Sequence, residues 1–393
     1  MSQGHYTTRH QKQRMNYPRS VSLLLTAFLL LIAIRSKESA DPPVETGPYT
    51  FSYPSNFGNR FTIPADNPMT KQGVQLGRML FYEKKLSVDN TMSCASCHDQ
   101  KRAFTDGSAF SRGVDGTPTS RSSMSLANLL WVRQLFWDGR AKSLEEQAIT
   151  PLTDPHEMGQ SLAVSAKKLQ QTSAYPPLFK LAFGSDTITG ERLTKALAQF
   201  ERTLISANSR YDQFLAGQYQ PTEQEKRGHD LFMTHPVPDQ KLRGANCGDC
   251  HGGYKTFMEF YHNNGLDAEP KDQGREKMTG RNNDRGRFRV PTLRNIALTA
   301  PYMHDGRFKT LEEVLDHYNG HIQPSPTLAP LVMEATNEVG GKSLLLTPQE
   351  KQDVIAFLHL LTDSTFITDP RFSDPHTRPE LKPRSTAQPK NRK

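Results

Sequence analysis

Four cysteines occur in this 393-residue chain, and they fall into two copies of one five-residue pattern, Cys94-Ala-Ser-Cys97-His98 and Cys247-Gly-Asp-Cys250-His251. No cysteine is left over. C-x-x-C-H is the attachment pattern of a c-type haem. Two thiols about one helical turn apart reach the two vinyl groups of one macrocycle as thioethers, and the adjacent imidazole turns under the ring to bind its iron. A structural zinc site would have to join two pairs lying 150 positions apart, beyond any compact finger or ribbon. A thioredoxin-like pair needs no histidine after each second cysteine. Two disulfides, which an exported chain could hold, would leave the shared pattern unexplained. The reading is therefore two covalently bound haem c groups, with Cys94, Cys97 and His98 holding one and Cys247, Cys250 and His251 the other, both histidines being iron ligands.

The surroundings of the two motifs repeat as well. Gly77-Arg-Met-Leu80-Phe81 precedes the first and Gly228-His-Asp-Leu231-Phe232 the second. After them come Leu126-x-Asn128, Asp138-Gly139-Arg140 and Leu144-Glu145-Glu146 in one half, and Leu293-x-Asn295, Asp305-Gly306-Arg307 and Leu311-Glu312-Glu313 in the other. Asparagine to aspartate is ten residues in both, and aspartate to leucine six, so the chain holds an internal duplication. Apolar residues recur every three or four positions in 190–215 and 347–361, the helical period. Thr222-x-x-Glu225 and Thr347-Pro348-x-Glu350 read as capping boxes that open helices. Stretches such as 262–292, rich in Gly, Pro, Asn and Asp, read as loops wrapping the cofactors rather than strands. The expected fold is mainly α: two cytochrome c-like haem domains in tandem, with long loops and little β structure. The expected boundaries are a leader over 1–40, a first haem domain over 41–210, a second over 211–365 and a basic disordered tail over 366–393.

Net charge at first points elsewhere. Lysine and arginine number 49 against 41 acids, a formal +8 with a pI near 9.2. Location removes the nucleic-acid reading that such an excess invites. Residues 1–20 carry +4 and residues 375–393 carry +5, which leaves −1 for everything between. No groove-reading motif accompanies it. The mean hydropathy of −0.66 excludes a multi-span membrane protein. The basic start is followed by an apolar run over 21–34, shorter than the roughly 20 residues of a spanning helix. Basic segment, apolar core and then a polar, Pro-rich stretch is the order of an export signal, cleaved near Ala40 or kept as an inner-membrane anchor, and it places the protein in the periplasm.

With both haem motifs in place, the sequence resembles the bacterial dihaem cytochrome c peroxidase family, MauG-type enzymes included, over roughly residues 50–370. The segments that carry the resemblance are Phe136-Trp137-Asp138-Gly139-Arg140-Ala141-x-x-Leu144-Glu145-Glu146-Gln147-Ala148, Pro155-His156-Glu157-Met158-Gly159, and Val290-Pro291-Thr292-Leu293-Arg294-Asn295 running into Thr299-Ala-Pro301-Tyr302-Met303-His304-Asp305-Gly306. The resemblance implies that the first haem is the peroxidatic one. Cleaving the O–O bond of hydrogen peroxide needs an open iron position and a group that moves a proton from the near oxygen to the leaving one. The family places that glutamate at Glu157 and a distal-pocket glutamine at Gln147. Trp137 takes the position of a tryptophan that carries electrons between the haems. Its counterpart in the repeat is His304, read as structural or propionate-contacting.

Three departures from the family pattern bear on mechanism. Many members carry a histidine some fifteen residues beyond the first motif that blocks the peroxidatic iron at rest. Here no histidine lies between His98 and His156, so the first haem is expected to be open or water-ligated, with Met124 read as a core residue ahead of a substitute ligand. At the second haem many members place a methionine ligand fourteen residues after the histidine of Y-x-H-D-G; counting from His304 gives Tyr318, the residue type used by MauG-type members, with His317 as the rival. Tyrosinate favours oxidised over ferrous iron relative to a thioether. Third, the family's calcium, bound between the haems by an asparagine and backbone oxygens, would fall at Thr299 and Pro301, but the asparagine is Ser122.

The sequence thus leads to an exported dihaem c-type peroxidase that reduces hydrogen peroxide to water with electrons arriving from a small c-type cytochrome or similar donor through the second haem. The alternative is a MauG-like enzyme that uses peroxide-oxidised haems to oxidise a partner protein. An alternative of another class is a dihaem electron-transfer cytochrome without catalysis. The resemblance also allows a homodimer.

Overall fold

The computed structural model describes Met1 and residues 45–377. The leader expected over 1–40, with its apolar run, and the basic residues from Arg378 onward lie outside the described residues.

Two helix pairs organise the chain, and the same physical device closes both. In the first half the Lys71–Phe81 helix opens on Thr70, whose hydroxyl accepts from the Gly73 N–H at 3.0 Å. It buries Leu76, Leu80 and Phe81 against Leu193, Leu197 and Phe200 of the Gly190–Glu201 helix. In the second half the Glu223–Met233 helix packs on the Pro348–Leu360 helix, and both open with the capping boxes expected at Thr222 and Thr347. Each pair crosses at a glycine: a Cβ at Gly77 would lie 1.9 Å from the Ala196 carbonyl oxygen, and one at Gly228 would lie 1.8 Å from that of Asp353. Beside each crossing two phenylalanine rings meet, Phe81 with Phe200 at 5.3 Å and Phe232 with Phe357 at 5.0 Å.

The repeat extends into the loops. Asn128 and Asn295 both adopt φ 63°, a left-handed conformation that asparagine tolerates, and each starts a single 3-10 turn. The Asn128 N–H reaches the Leu204 carbonyl and the Asn295 N–H the Leu361 carbonyl, at 2.8 and 2.9 Å. The isolated bridge Leu135–Ala141 recurs as Tyr302–Phe308. Ser143 and Thr310 cap the helices that follow. The hydrophobic residues accordingly form one core around Leu76, Phe104, Phe179 and Phe200, and another around Phe232, Leu315, Val354 and Phe357.

Three sequence expectations are corrected. Residues 190–215 are not one helix: the Gly190–Glu201 helix ends, and a second begins at Arg210 under a Ser209–Asp212 capping box. Buried polar groups hold the break, with Asp363 Oδ2 accepting from Ser206 Oγ and from the Ala207 and Asn208 N–H groups. The 262–292 stretch is not all loop: His262 and Phe288–Arg289 within it belong to a two-stranded antiparallel pair, Tyr261–His262 with Phe288–Arg289, and it contains the short Glu276–Thr279 helix. The disordered tail does not begin at 366, because 366–377 returns to the first core. Phe366 and Phe372 are buried there, Gln100 Nε2 donates to the Phe366 carbonyl at 3.1 Å, and Tyr82 Oη donates to the Phe372 carbonyl at 2.7 Å. Two phenylalanines in an otherwise polar stretch supply enough apolar surface to dock it.

Candidate active site

Two large cavities open beside the two C-x-x-C-H segments, with about 1650 Å³ of empty space at the first and 1840 Å³ at the second, mouths included. Each segment is one tight turn: His98 N–H donates to the Cys94 carbonyl at 3.0 Å, and His251 N–H to that of Cys247 at 2.8 Å. None of the four cysteines is in a disulfide, and all four line the cavities. Burial pushes their thiols up, Cys97 and Cys250 to about 11 and Cys247 to about 12. His98 Nδ1 lies 2.8 Å from the Phe104 carbonyl and His251 Nδ1 3.1 Å from that of Pro291. A carbonyl only accepts, so Nδ1 carries the proton in both rings and Nε2 keeps its lone pair for a metal. Burial lowers both histidines, His251 to about 4, which keeps them neutral. The donor set fits two haems.

Glu157 and Gln147 line the first cavity together with Cys94, Cys97 and His98. Among the described residues neither side chain has a hydrogen-bond partner, which leaves both free for a small ligand. Burial raises Glu157 above the usual carboxylate range, Asp154 adds to the rise and Arg140 opposes it. The Glu157 backbone is clamped: its N–H reaches the Asp154 carbonyl at 3.0 Å, and its own carbonyl accepts from Val114 at 2.8 Å. The 113–117 turn makes that clamp, and Gly113 is needed because a Cβ there would lie 1.9 Å from the His156 carbonyl oxygen.

At the rim of the same cavity His156 Nδ1 pairs with Asp115 Oδ2 at 2.8 Å. The hydrogen bond with Asp115 raises His156 above 6.5, while Thr117 and His156 hold Asp115 down at about 2. A raised histidine stabilises the fold fully below its free pKa of 6.5 and loses that contribution as pH rises through the raised value. A depressed aspartate stabilises above 3.8 and loses it as pH falls toward about 2. The clamp should therefore be firmest between about pH 4 and 6.5. An NMR titration should place the His156 imidazole above a free histidine, and Asp115→Asn should return it; an unshifted imidazole in the parent would refute the pairing.

Trp137 lies in the walls of both cavities, as do Ser122, Met124 and Arg289. Its indole Nε1 donates to the Ser122 carbonyl at 2.9 Å, and its own carbonyl accepts from the Arg289 N–H at 2.7 Å. His304, its counterpart in the repeat, meets it edge-on at 6.5 Å and stacks on Phe288 at 3.8 Å, in the wall of the second cavity. Met124 is a wall residue whose sulfur faces the Arg289 guanidinium.

In the second cavity Tyr318 lines the same wall as Cys247, Cys250 and His251. Its hydroxyl accepts from Asn264 Nδ2 at 3.0 Å, and burial pushes it up to about 12. A cation facing it would reverse that shift. The neighbouring His317 turns away: its Nε2 lies 3.0 Å from the Asn264 carbonyl, and it is absent from the cavity lining. Thr299 and Pro301 also line the second cavity. Ser122 spends its hydroxyl on the Met303 carbonyl at 2.9 Å, and among the described residues no cluster of three His, Cys, Asp or Glu side chains forms a metal site.

Two wall residues were not singled out from the sequence. Glu201 is 5% exposed with an unpartnered Oε2, and burial raises it to about 8. Its signal was readable, an acid four residues after Leu197 on the buried stripe of a helix. Arg289 had none, because only the Phe288–Arg289 strand pairing turns it inward.

Residues 71–220 match the family model described as Di-haem cytochrome c peroxidase. The chain is 32% identical over 340 residues to the methylamine utilization protein MauG of Methylophilus methylotrophus, covering 86% of this chain and 94% of that one. It is 37% identical over 266 residues to the cytochrome c551 peroxidase of Nitrosomonas europaea, covering 65% and 75%. Among solved structures, a MauG-like protein associated with microbial copper homeostasis superposes with a TM-score of 0.74 at 38% identity, over 83% of this chain and 99% of that one.

Proposed function

The chain belongs to the di-haem cytochrome c peroxidase family, and from that premise we propose how its residues divide the work of reducing hydrogen peroxide to water with electrons from a donor. It is a haem peroxidase, an oxidoreductase acting on hydrogen peroxide. Its halves are two cytochrome c-like modules in tandem, a reading supported by the repeated helix crossing and asparagine turns. Each module carries a haem c bound covalently through its two cysteines. The observation that carries the assignment is the first cavity: a raised, unpartnered carboxyl at Glu157 shares it with Cys94, Cys97 and an Nε2-ready His98.

His98, through Nε2, would hold the peroxidatic haem, and bound haem iron would supply the electrons that cleave the O–O bond. Glu157 takes the proton of the near peroxide oxygen and returns it to the far one as that leaves as water. A carboxyl raised toward neutrality suits both halves of this transfer. Gln147 orients the peroxide by hydrogen bonding. Trp137, in both walls, would carry electrons between two bound haems. His251 and Tyr318 would ligate the second haem, and the turned-away His317 supports tyrosine over histidine. Calcium would rest on the Thr299 and Pro301 carbonyl oxygens and water, without the usual asparagine. A leader over 1–40 would carry the protein to the periplasm.

A second reading is favoured by Tyr318. A tyrosinate ligand stabilises oxidised iron, which suits an enzyme that stores oxidising equivalents for a partner protein, as the MauG relatives invite. One experiment separates the readings. A pyridine haemochrome assay should count two haems per chain, and one or none would overturn the assignment. Rapid mixing of the diferric protein with peroxide should then give fast turnover with reduced cytochrome c. A long-lived oxidised state slow toward cytochrome c would favour the MauG-like reading, and no reaction would leave an electron carrier.

A further inference from the structure

Burying a guanidinium is costly unless an anion meets it. The buried arginines of this protein mostly obey that rule. Arg202 pairs with Glu145 at 2.8 Å and Arg294 with Asp212, and the half-buried Arg121 pairs with both Asp138 and Asp272 at 2.7 and 2.6 Å. Arg289 is the exception. It is 6% exposed, yet no carboxylate among the described residues lies within ion-pair reach of it. Its Nε donates to the Phe136 carbonyl at 3.3 Å, its Nη2 faces the Met124 sulfur at 3.5 Å, and Nη1 has no protein partner. Burial lowers its pKa, and only the more distant Glu259 and Tyr261 oppose that. Glu259 already holds Arg133.

The position of this uncompensated cation is informative, because Arg289 is in the walls of both cavities. A haem carries two carboxylates of its own on its propionate edge. We propose that Arg289 is a positioning residue that receives haem propionates at the partition between the two cavities, one guanidinium serving both haems and anchoring them to the Trp137 segment. The anchoring is direct, since the Arg289 N–H holds the Trp137 carbonyl at 2.7 Å and its Nε holds that of Phe136. The arrangement rests on the two-haem reading above. It makes one residue responsible for three spacings: each haem to the tryptophan, and the haems to each other.

The test compares Arg289→Gln with Arg289→Lys in the full-length holoprotein, with haem content checked by pyridine haemochrome. Spectroelectrochemical titration reads both midpoint potentials at about pH 9, where even a carboxylate raised by burial is ionised. Removing a positive charge beside ionised propionates disfavours the reduced irons. The glutamine variant should therefore lower both midpoints, and lysine should hold them near the parent values. Unchanged midpoints in a glutamine variant carrying two haems would overturn the proposal, and a shift at one haem alone would overturn the shared role. A parent protein without two haems would instead fail the assignment of function. If the glutamine variant does not fold, a crystal structure of the parent holoprotein decides: propionate oxygens of both haems should lie within hydrogen-bond distance of Arg289, and their pairing elsewhere refutes it.

Discussion

Replacing Glu157 with glutamine should cut peroxide turnover by ~10²–10⁴-fold, the ordinary weight of a positioned proton-transfer group. The substitution keeps the shape of the side chain and removes its ability to exchange a proton. Nothing structural hangs on the carboxylate, because its side chain has no hydrogen-bond partner among the described residues while its backbone is clamped by Asp154 and Val114. Both haem spectra and the melting temperature should therefore stay where they are. Because Glu157 is raised by burial and by Asp154, the parent should lose activity as pH falls through that raised value and the carboxylate becomes protonated. The glutamine variant should lose that acid limb. Stopped-flow turnover with reduced cytochrome c measures both, and a variant with parent-like rate and pH profile would remove Glu157 from the mechanism.

The second large effect is on stability. Gly77→Ala and Gly228→Ala should each destabilise the protein by at least about 1–3 kcal/mol, the cost of forcing atoms into a packed interior. Neither clash can be relieved by swinging a side chain, since the obstructing atoms are backbone carbonyls of the opposite helix, at Ala196 and Asp353. The helices must separate, which loosens Phe81 from Phe200 or Phe232 from Phe357. Gly320→Ala is the control. It sits at the end of the Leu311–Gly320 helix with nothing within 4 Å of its Cβ position, and there alanine should be neutral or mildly stabilising. Calorimetry on the three holoproteins decides; equal melting temperatures for Gly77→Ala and Gly320→Ala would mean that the crossing tolerates a methyl group.

Much of the candidate site was legible in the chain because its motifs are local. A C-x-x-C-H turn needs only five residues to place two thiols and an imidazole, and the resemblance marked Glu157, Gln147, Trp137 and Tyr318 one position at a time. The capping boxes at Thr222 and Thr347 were equally local. The errors came where distant partners decide. Residues 190–215 keep an apolar period across a break that is made by Asp363, over 150 positions away. Residues 366–377 look like the start of a polar tail until Phe366 and Phe372 find the first core. Tyr318 and His317, adjacent in sequence, are parted by Asn264, whose carbonyl takes the histidine and whose amide meets the tyrosine.

Short-range spacing carries the two C-x-x-C-H turns, their duplication and the family, because it survives without a fold. Packing alone sets which side chains face which cavity, and it brings Trp137 and Arg289 into the walls of both. The reason is physical. Burial and the pairing of charge are properties of the packed interior: Arg289 reads like any other arginine until the strand pairing turns it inward, away from every carboxylate among the described residues.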